Sequence, residues 1–209
     1  MADYYRNARA FLRADLHPKG YRDAQHGDGL HKTIAKGVRV TALLGGLWHR
    51  LSCTSGLRFD VLNKTLLRAA SDAGWPDDHM SMFRLWLWGL FWEDERHFYL
   101  AAGDMDANSP RGVIATREEI RDHLLAEETR LSVLTDLEAA LAYVCDGRLF
   151  RHLGTYMVPA AAKVTHNREL WDWSVSHFSA VVAAENEKKL PINRRDFDGL
   201  IRAIDALPL

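Results

Sequence analysis

Apolar residues recur along this chain mostly at helical spacing. Tyr4, Ala8, Phe11 and Leu12 share one face and predict a first helix over about 3–16. His17-Pro18 stops it, because the residue before a proline is pushed out of the helical region. Residues 17–29 read as a polar, glycine-containing loop, and a second helix is expected over about 30–51. Gly37, Gly45 and Gly46 weaken that helix by about 1 kcal/mol each relative to alanine. A third helix over 59–73 carries Phe59, Leu62, Leu66, Ala69 and Ala73 and ends at Gly74-Trp75-Pro76. Residues 79–100 have hardly any polar face, so they read as a buried helix, with a buried strand as the alternative that periodicity leaves open. Asp104–Pro110 reads as a loop, and Thr116-Arg-Glu-Glu119 is a capping box that opens a helix at about 117. Further helices are expected over 131–145, 167–187 and 194–206, with an extended stretch from Leu149 to Val158 closed by Pro159.

Residues 113–159 run capped helix, intervening stretch, amphipathic helix, Gly turn, then two short extended pieces about a second Gly. With Leu137, Leu141, Val144, Gly147 and Leu149 in the second helix and its turn, the segment resembles a winged helix-turn-helix. The resemblance covers about 45 of 209 residues and implies a β-hairpin wing with Gly154 at its tip. Winged helices serve DNA binding, RNA binding and protein docking alike, so the fold does not choose among these. The implied recognition helix carries Ser132, Thr135, Asp136 and Glu138 with Arg130 before it, which is acidic for a reader of base edges. Arg148, Arg151 and His152 on the implied wing fit phosphate contact better.

The expected architecture is therefore mainly α, a multi-helix globular protein of about seven helices with a small β-hairpin near 148–158. It divides into a helical N-terminal region (residues 1–112), a winged-helix-like segment (113–159) and C-terminal helices (160–209), or forms one domain.

Composition adds exclusions. The chain is 47% hydrophobic and 26% charged, so it is not mainly disordered or coiled coil. Cys53 and Cys145 cannot make a disulfide framework or a four-thiolate zinc site, and a reducing, cytoplasmic setting is expected. The first twenty residues, with Asp3, Arg6, Arg9, Arg13 and Asp15, do not read as a signal peptide, and the longest apolar run is far short of the roughly 20 residues that span a bilayer.

Net charge is −1, but its distribution is uneven. Residues 1–68 hold 12 Lys/Arg against 5 Asp/Glu, whereas residues 69–147 hold 6 against 16. On a continuous second helix, Lys32, Lys36, Arg39 and Arg50 fall along one stripe. Arg6, Arg9 and Arg13 form another, and Lys64 and Arg68, with Arg58 nearby, make a third. Cations about a turn apart can track phosphates, and each contact adds salt-dependent affinity. Trp86, Trp88 and Trp92 lie in the acidic third, so they read as core or as a homodimer or partner surface rather than a base-stacking platform.

Metal and catalytic patterns are weak. Asp23, His26, Asp28 and His31 lack a recognised ligand spacing, and Glu93/His97 and Glu119/His123 stand at i, i+4 rather than the i, i+3 of di-iron bundles. Asp104–Asn108 starts like a calcium loop but has Ser109 and Ala115 where Gly and Glu are needed. No catalytic residue and no cofactor is expected. The reading is a non-enzymatic nucleic-acid-binding protein, DNA or RNA, acting in regulation or a nucleoprotein complex. The alternatives are a protein-binding adaptor or inhibitor using the acidic middle third, as mobile elements encode, and an α-helical metal enzyme.

Overall fold

The second helix expected over 30–51 is absent, and strands occupy that stretch. A computed structural model of the protein describes residues 4–23, 29–47, 50–75, 91–92, 96–99, 115–145, 151–187 and 194–208. After helix α1 (Tyr4–Leu16) and a 3-10 turn (His17–Lys19) come β1 (Arg22–Asp23), β2 (Gly29–Ala35), β3 (Val38–Leu47) and β4 (Arg50–Phe59). Helix α2 (Asp60–Asp72), β5 (Phe91–Trp92) and β6 (Arg96–Tyr99) follow. The rest is helical: α3 (Arg117–Leu131), α4 (Leu137–Cys145), α5 (Arg151–Val164), α6 (Arg168–Glu187) and α7 (Arg194–Ala206). The protein is thus mixed rather than purely α: seven helices and one small sheet among the described residues. No helix among them is long and apolar enough to cross a membrane.

The chain forms two compact units, neither continuous in sequence. The first comprises Met1–Arg58 and Phe91–Thr135, and the second Phe59–Leu90 and Asp136–Leu209.

In the first unit the sheet order is β1-β2-β3-β4, with β5 and β6 both pairing along β4. Two features of residues 30–47 favour strands over helix. Thr33, Ile34, Val38, Val40 and Thr41 are β-branched, which suits a pleated surface. Gly37, at φ 75°, takes the left-handed backbone of the two-residue link between β2 and β3. Val38, Val40, Ala42 and Leu44 are buried at every second position. Leu30, Ala42, Leu44, Leu51 and Cys53 form one core with Ala8, Leu12 and Leu16 of α1 and Ile120 and Leu124 of α3. Each fully buried leucine contributes roughly 1.5–3 kcal/mol.

Polar contacts fasten the two helices to the sheet and to each other. Arg117, at the start of α3, pairs with Asp15 near the end of α1, its Nε donating over 2.7 Å to Oδ2. The arginine holds the Asp15 carboxyl below the usual carboxylate range. Lys32 of β2 pairs with Glu128 of α3, its ammonium 5.7 Å from the centre of the Tyr21 ring. Tyr21 is fully buried. Its hydroxyl lies near the Glu128 carboxylate but outside hydrogen-bond geometry. Burial, and then the Glu128 charge, push its ionisation far above the ordinary phenol range. The capping box of α3 forms as read: the Glu119 N–H donates to Thr116 Oγ1 at 3.2 Å, and the Thr116 N–H to Glu119 Oε2 at 2.7 Å.

In the second unit α5 packs on α2, α6 and α7, and α4 packs on α5. This overturns the extended wing: residues 151–158 belong to α5, with Pro159 buried inside that helix. Buried Ala160, Ala161 and Ala162 give α5 a flat surface, and Tyr156 sits edge-on to Trp75 at 5.9 Å and 6.1 Å from Phe197. Such burial outweighs the roughly 3 kcal/mol that an interior proline costs. The β-hairpin expected near 148–158 is thus replaced, over residues 151–158, by helix. The helix expected from 131 starts at Leu137, where the Asp136 carboxylate accepts the Ala139 N–H at 3.0 Å.

Two helices end in the same Schellman arrangement. The Trp75 and Gly74 N–H groups donate to the Ala70 and Ser71 carbonyls, and those of Asn167 and His166 donate to Ala162 and Lys163. The left-handed residue is Gly74 (φ 73°) in the first and His166 (φ 54°) in the second. Asn167 then caps α6, its Oδ1 accepting the Leu170 N–H at 2.9 Å.

Four outcomes are expected from urea unfolding. His166→Gly relieves the left-handed strain and raises stability by about 0.5–1 kcal/mol, whereas Asn167→Ala removes a cap and lowers it by about 1 kcal/mol. Glu128→Gln leaves the Lys32 ammonium unpaired among half-buried groups and lowers stability by about 1–3 kcal/mol. Asp15→Asn is less stable than wild type at neutral pH. Because the folded pKa of Asp15 is depressed, that difference shrinks as pH falls through the lowered value, and a difference unchanged down to strongly acidic pH would contradict the pairing.

Candidate nucleic-acid interface

Alternation in β2–β4 creates two faces with different chemistry. Leu30 and Lys32 face the helices, so residues at the intervening positions face away. Register sets Arg22 opposite His31, His31 opposite Thr41, and Thr33 opposite Arg39. On β4 the inward Leu51, Cys53 and Leu57 leave Arg58 on the outer face. Directly opposed residues have Cβ atoms about 5 Å apart and diagonal ones about 7–8 Å, within reach of arginine. Arg22 and Thr33 are exposed, and His31, Arg39 and Arg58 are half-buried. Farther along the same face Thr41 and Ser52 are buried, so the open portion lies toward β1 and β2.

The electrostatics follow from this placement. His31 is held below the ordinary histidine pKa, first by burial and then by the charges of Arg39, Arg58 and Arg22, with Asp23 opposing. Asp23 is already engaged: Arg13 donates to it at 2.6 Å, and His17 Nε2 lies 3.5 Å away. Arg22 donates Nη1 to the Tyr21 and His17 carbonyls at 2.8 and 3.4 Å, neutral acceptors that orient the guanidinium without cancelling its charge. Three guanidiniums around one imidazole suit a phosphate, which arginine can hold through two parallel N–H donors.

The expected basic stripes are dispersed. Lys32 and Arg39, neighbours on the expected helical stripe, lie on opposite faces of the sheet, and Lys32 pairs inward with Glu128. Arg13 pairs with Asp23, Arg130 with Glu127, and Arg68 more loosely with Asp72 at 3.9 Å. Lys36 is exposed in the β2–β3 link, Lys64 is exposed on α2, and Arg9 is half-buried on α1. Arg6, Arg50, Arg151 and His152 fall within α1, β4 and α5, so the last two stand on a helix and not a wing. Arg148 lies outside the described residues, as do His26, Asp28, Glu93, Trp86, Trp88 and the 104–110 loop. Of the candidates named from sequence, Arg39 and Arg58 come together. Arg22, not singled out from sequence, and His31, weighed there only as a metal ligand, join them, although a period-two reading of 29–47 sets His31 and Arg39 apart from Leu30 and Val40.

Elsewhere the chemistry is quieter. Glu119 accepts the Thr116 N–H in the helix cap. Among the described residues no three of His, Cys, Asp or Glu cluster as a metal site would require. The second unit has two open clefts. One, of about 280 Å³, is lined by Lys163, His166, Arg168 and Trp171. There Lys163 is tied to the Asp205 carbonyl at 2.6 Å and Arg168 to Asp172 at 3.0 Å. The other, of about 440 Å³, is walled by Arg68, Asp72, Arg202 and small residues of α7. The chain matches no family model, no curated protein and no solved structure, so its function must be argued from this arrangement of groups.

Proposed function

We propose that this protein is a non-enzymatic nucleic-acid binder that grips phosphates with the outer face of β1–β4. The observation that carries the reading is the placement of Arg22, Arg39 and Arg58, from three strands, on the outer face of the sheet beside His31. Lys36, exposed in the adjoining link, extends the same positive surface. Cations fixed by a sheet contact the backbone rather than the base edges, so binding of this kind depends strongly on salt and weakly on sequence. The acidic alternative has less support. Glu119, Glu127 and Glu128 are occupied by a cap and two ion pairs, which leaves fewer charges to offer a basic partner.

The test is fluorescence anisotropy with labelled single- and double-stranded oligonucleotides over a salt series. Wild type is expected to bind with an affinity that falls linearly on a log–log plot. Each phosphate contact contributes about 0.7 to the slope for single strands and about 0.9 for duplex. Arg39→Glu with Arg58→Glu abolishes binding at low salt, whereas Lys64→Glu, on α2, leaves it within about twofold. Equal effects of the two variants, or no binding by wild type at about 50 mM salt, would overturn the reading.

A further inference from the structure

A cleft of about 440 Å³ opens in the second unit between the end of α2 and the end of α7. Ala73, Gly199, Ala203 and Ala206 line it with little side-chain bulk. A Cβ on Gly199 would meet nothing within 4 Å, so the space above that residue is open. Two exposed arginines border the cleft, Arg68 from α2 and Arg202 from α7. Among the described residues Arg202 makes no ion pair and no hydrogen bond, and Asp205, nearly one turn on, sits with Lys163 instead. Arg68 has Asp72 at 3.9 Å, beyond hydrogen-bond reach and between two exposed side chains, so that pairing is weak. The Ala69, Ala70 and Ser71 carbonyls at the end of α2 already accept the N–H groups of Ala73, Trp75 and Gly74. Two guanidiniums against one carboxylate make the rim of the cleft net positive.

Guanidiniums carried on separate helices at the rim of one cavity suit a dianion better than a monoanion. One planar fork satisfies a carboxylate, whereas a phosphate monoester offers three terminal oxygens and enough charge for two forks. The volume lies within the range of small-molecule pockets, roughly 300–1,000 Å³. Its alanine and glycine lining leaves room for an organic body of about a sugar's size and offers that body C–H surface. We propose that the cleft between α2 and α7 binds a small phosphate monoester, with the phosphate held between Arg68 and Arg202 and the organic body over Gly199 and Ala203. Asp72 is the opposing charge in the described lining, and it limits affinity by repelling the phosphate. The site belongs to the second unit and stands independently of the outer face of β1–β4, since it takes a small ligand into a cavity and the sheet offers a surface.

The experiment is isothermal titration calorimetry of the full chain with ribose 5-phosphate, and with ribose and acetate as controls. Wild type is expected to bind ribose 5-phosphate and neither control. Arg202→Gln weakens binding by about tenfold or more, the loss of one charge-assisted contact, and Asp72→Asn tightens it. Gly199→Leu separates the cleft from the fold. It places a side chain in open space and replaces a helix-interior glycine, so the protein melts no lower than wild type yet no longer takes the ligand. Arg202 is exposed, so its variant decides the matter even if Gly199→Leu fails to fold. No saturable binding of ribose 5-phosphate, equal binding of acetate, or a folded Gly199→Leu that binds like wild type overturns the inference. Binding that survives Arg202→Gln but is lost in Arg39→Glu with Arg58→Glu removes this site and leaves the nucleic-acid reading standing. Binding lost in Arg202→Gln, in a protein that takes up no oligonucleotide, does the reverse.

Discussion

The inward-facing ion pair between Lys32 and Glu128 locks the sheet of the first unit to its helices. Lysine is an unusual residue to point at a core, and it does so here because Glu128 meets its ammonium and the Tyr21 ring lies beneath it. Side chains alternate along a strand, so this contact fixes the whole of β2: Leu30 goes inward with Lys32, and His31 and Thr33 go outward. A slip of one residue would bury His31 and expose Leu30, and would turn the basic cluster into the core. The site therefore depends on a contact made on the opposite side of the sheet.

Several cations of the first unit are engaged in ion pairs. Arg13, Lys32, Arg117 and Arg130 each have a carboxylate partner, and the Asp15–Arg117 pair and the Lys32–Glu128 pair link elements distant in sequence. They hold structure. The guanidinium of Arg22 rests instead on the carbonyl oxygens of Tyr21 and His17.

The helical unit shows a different economy. Its central helix α5 carries three consecutive buried alanines, which let neighbouring helices approach closely, and it tolerates a buried proline. Its exit into α6 is tight: one left-handed residue, His166, and one cap, Asn167, turn the chain. The same turn geometry after α2 uses Gly74, which adopts that backbone without strain.

Local signals determined a large share of the architecture. The Thr116–Glu119 capping box, the Pro18 and Gly74 stops and the 3.6-residue periodicity of α1, α2, α6 and α7 act within a few residues, so the sequence alone locates those helices. The 30–51 and 149–158 segments were decided by tertiary structure. In the first, Lys32, Lys36, Arg39 and Arg50 fit a helical stripe, but pairing with β1 and β4 and burial against α1 and α3 favour strands, and Ile120 and Leu124 of α3 are far from that stretch in sequence. In the second, Gly147, Gly154 and Pro159 punctuate the chain like a hairpin, yet packing against α2, α6 and α7 makes residues 151–164 a helix. The candidate site follows the same division. Sequence supplied the arginines and their scarcity of nearby acids, while the company they keep depends on strand register, which is fixed by packing of the inner face against α1 and α3.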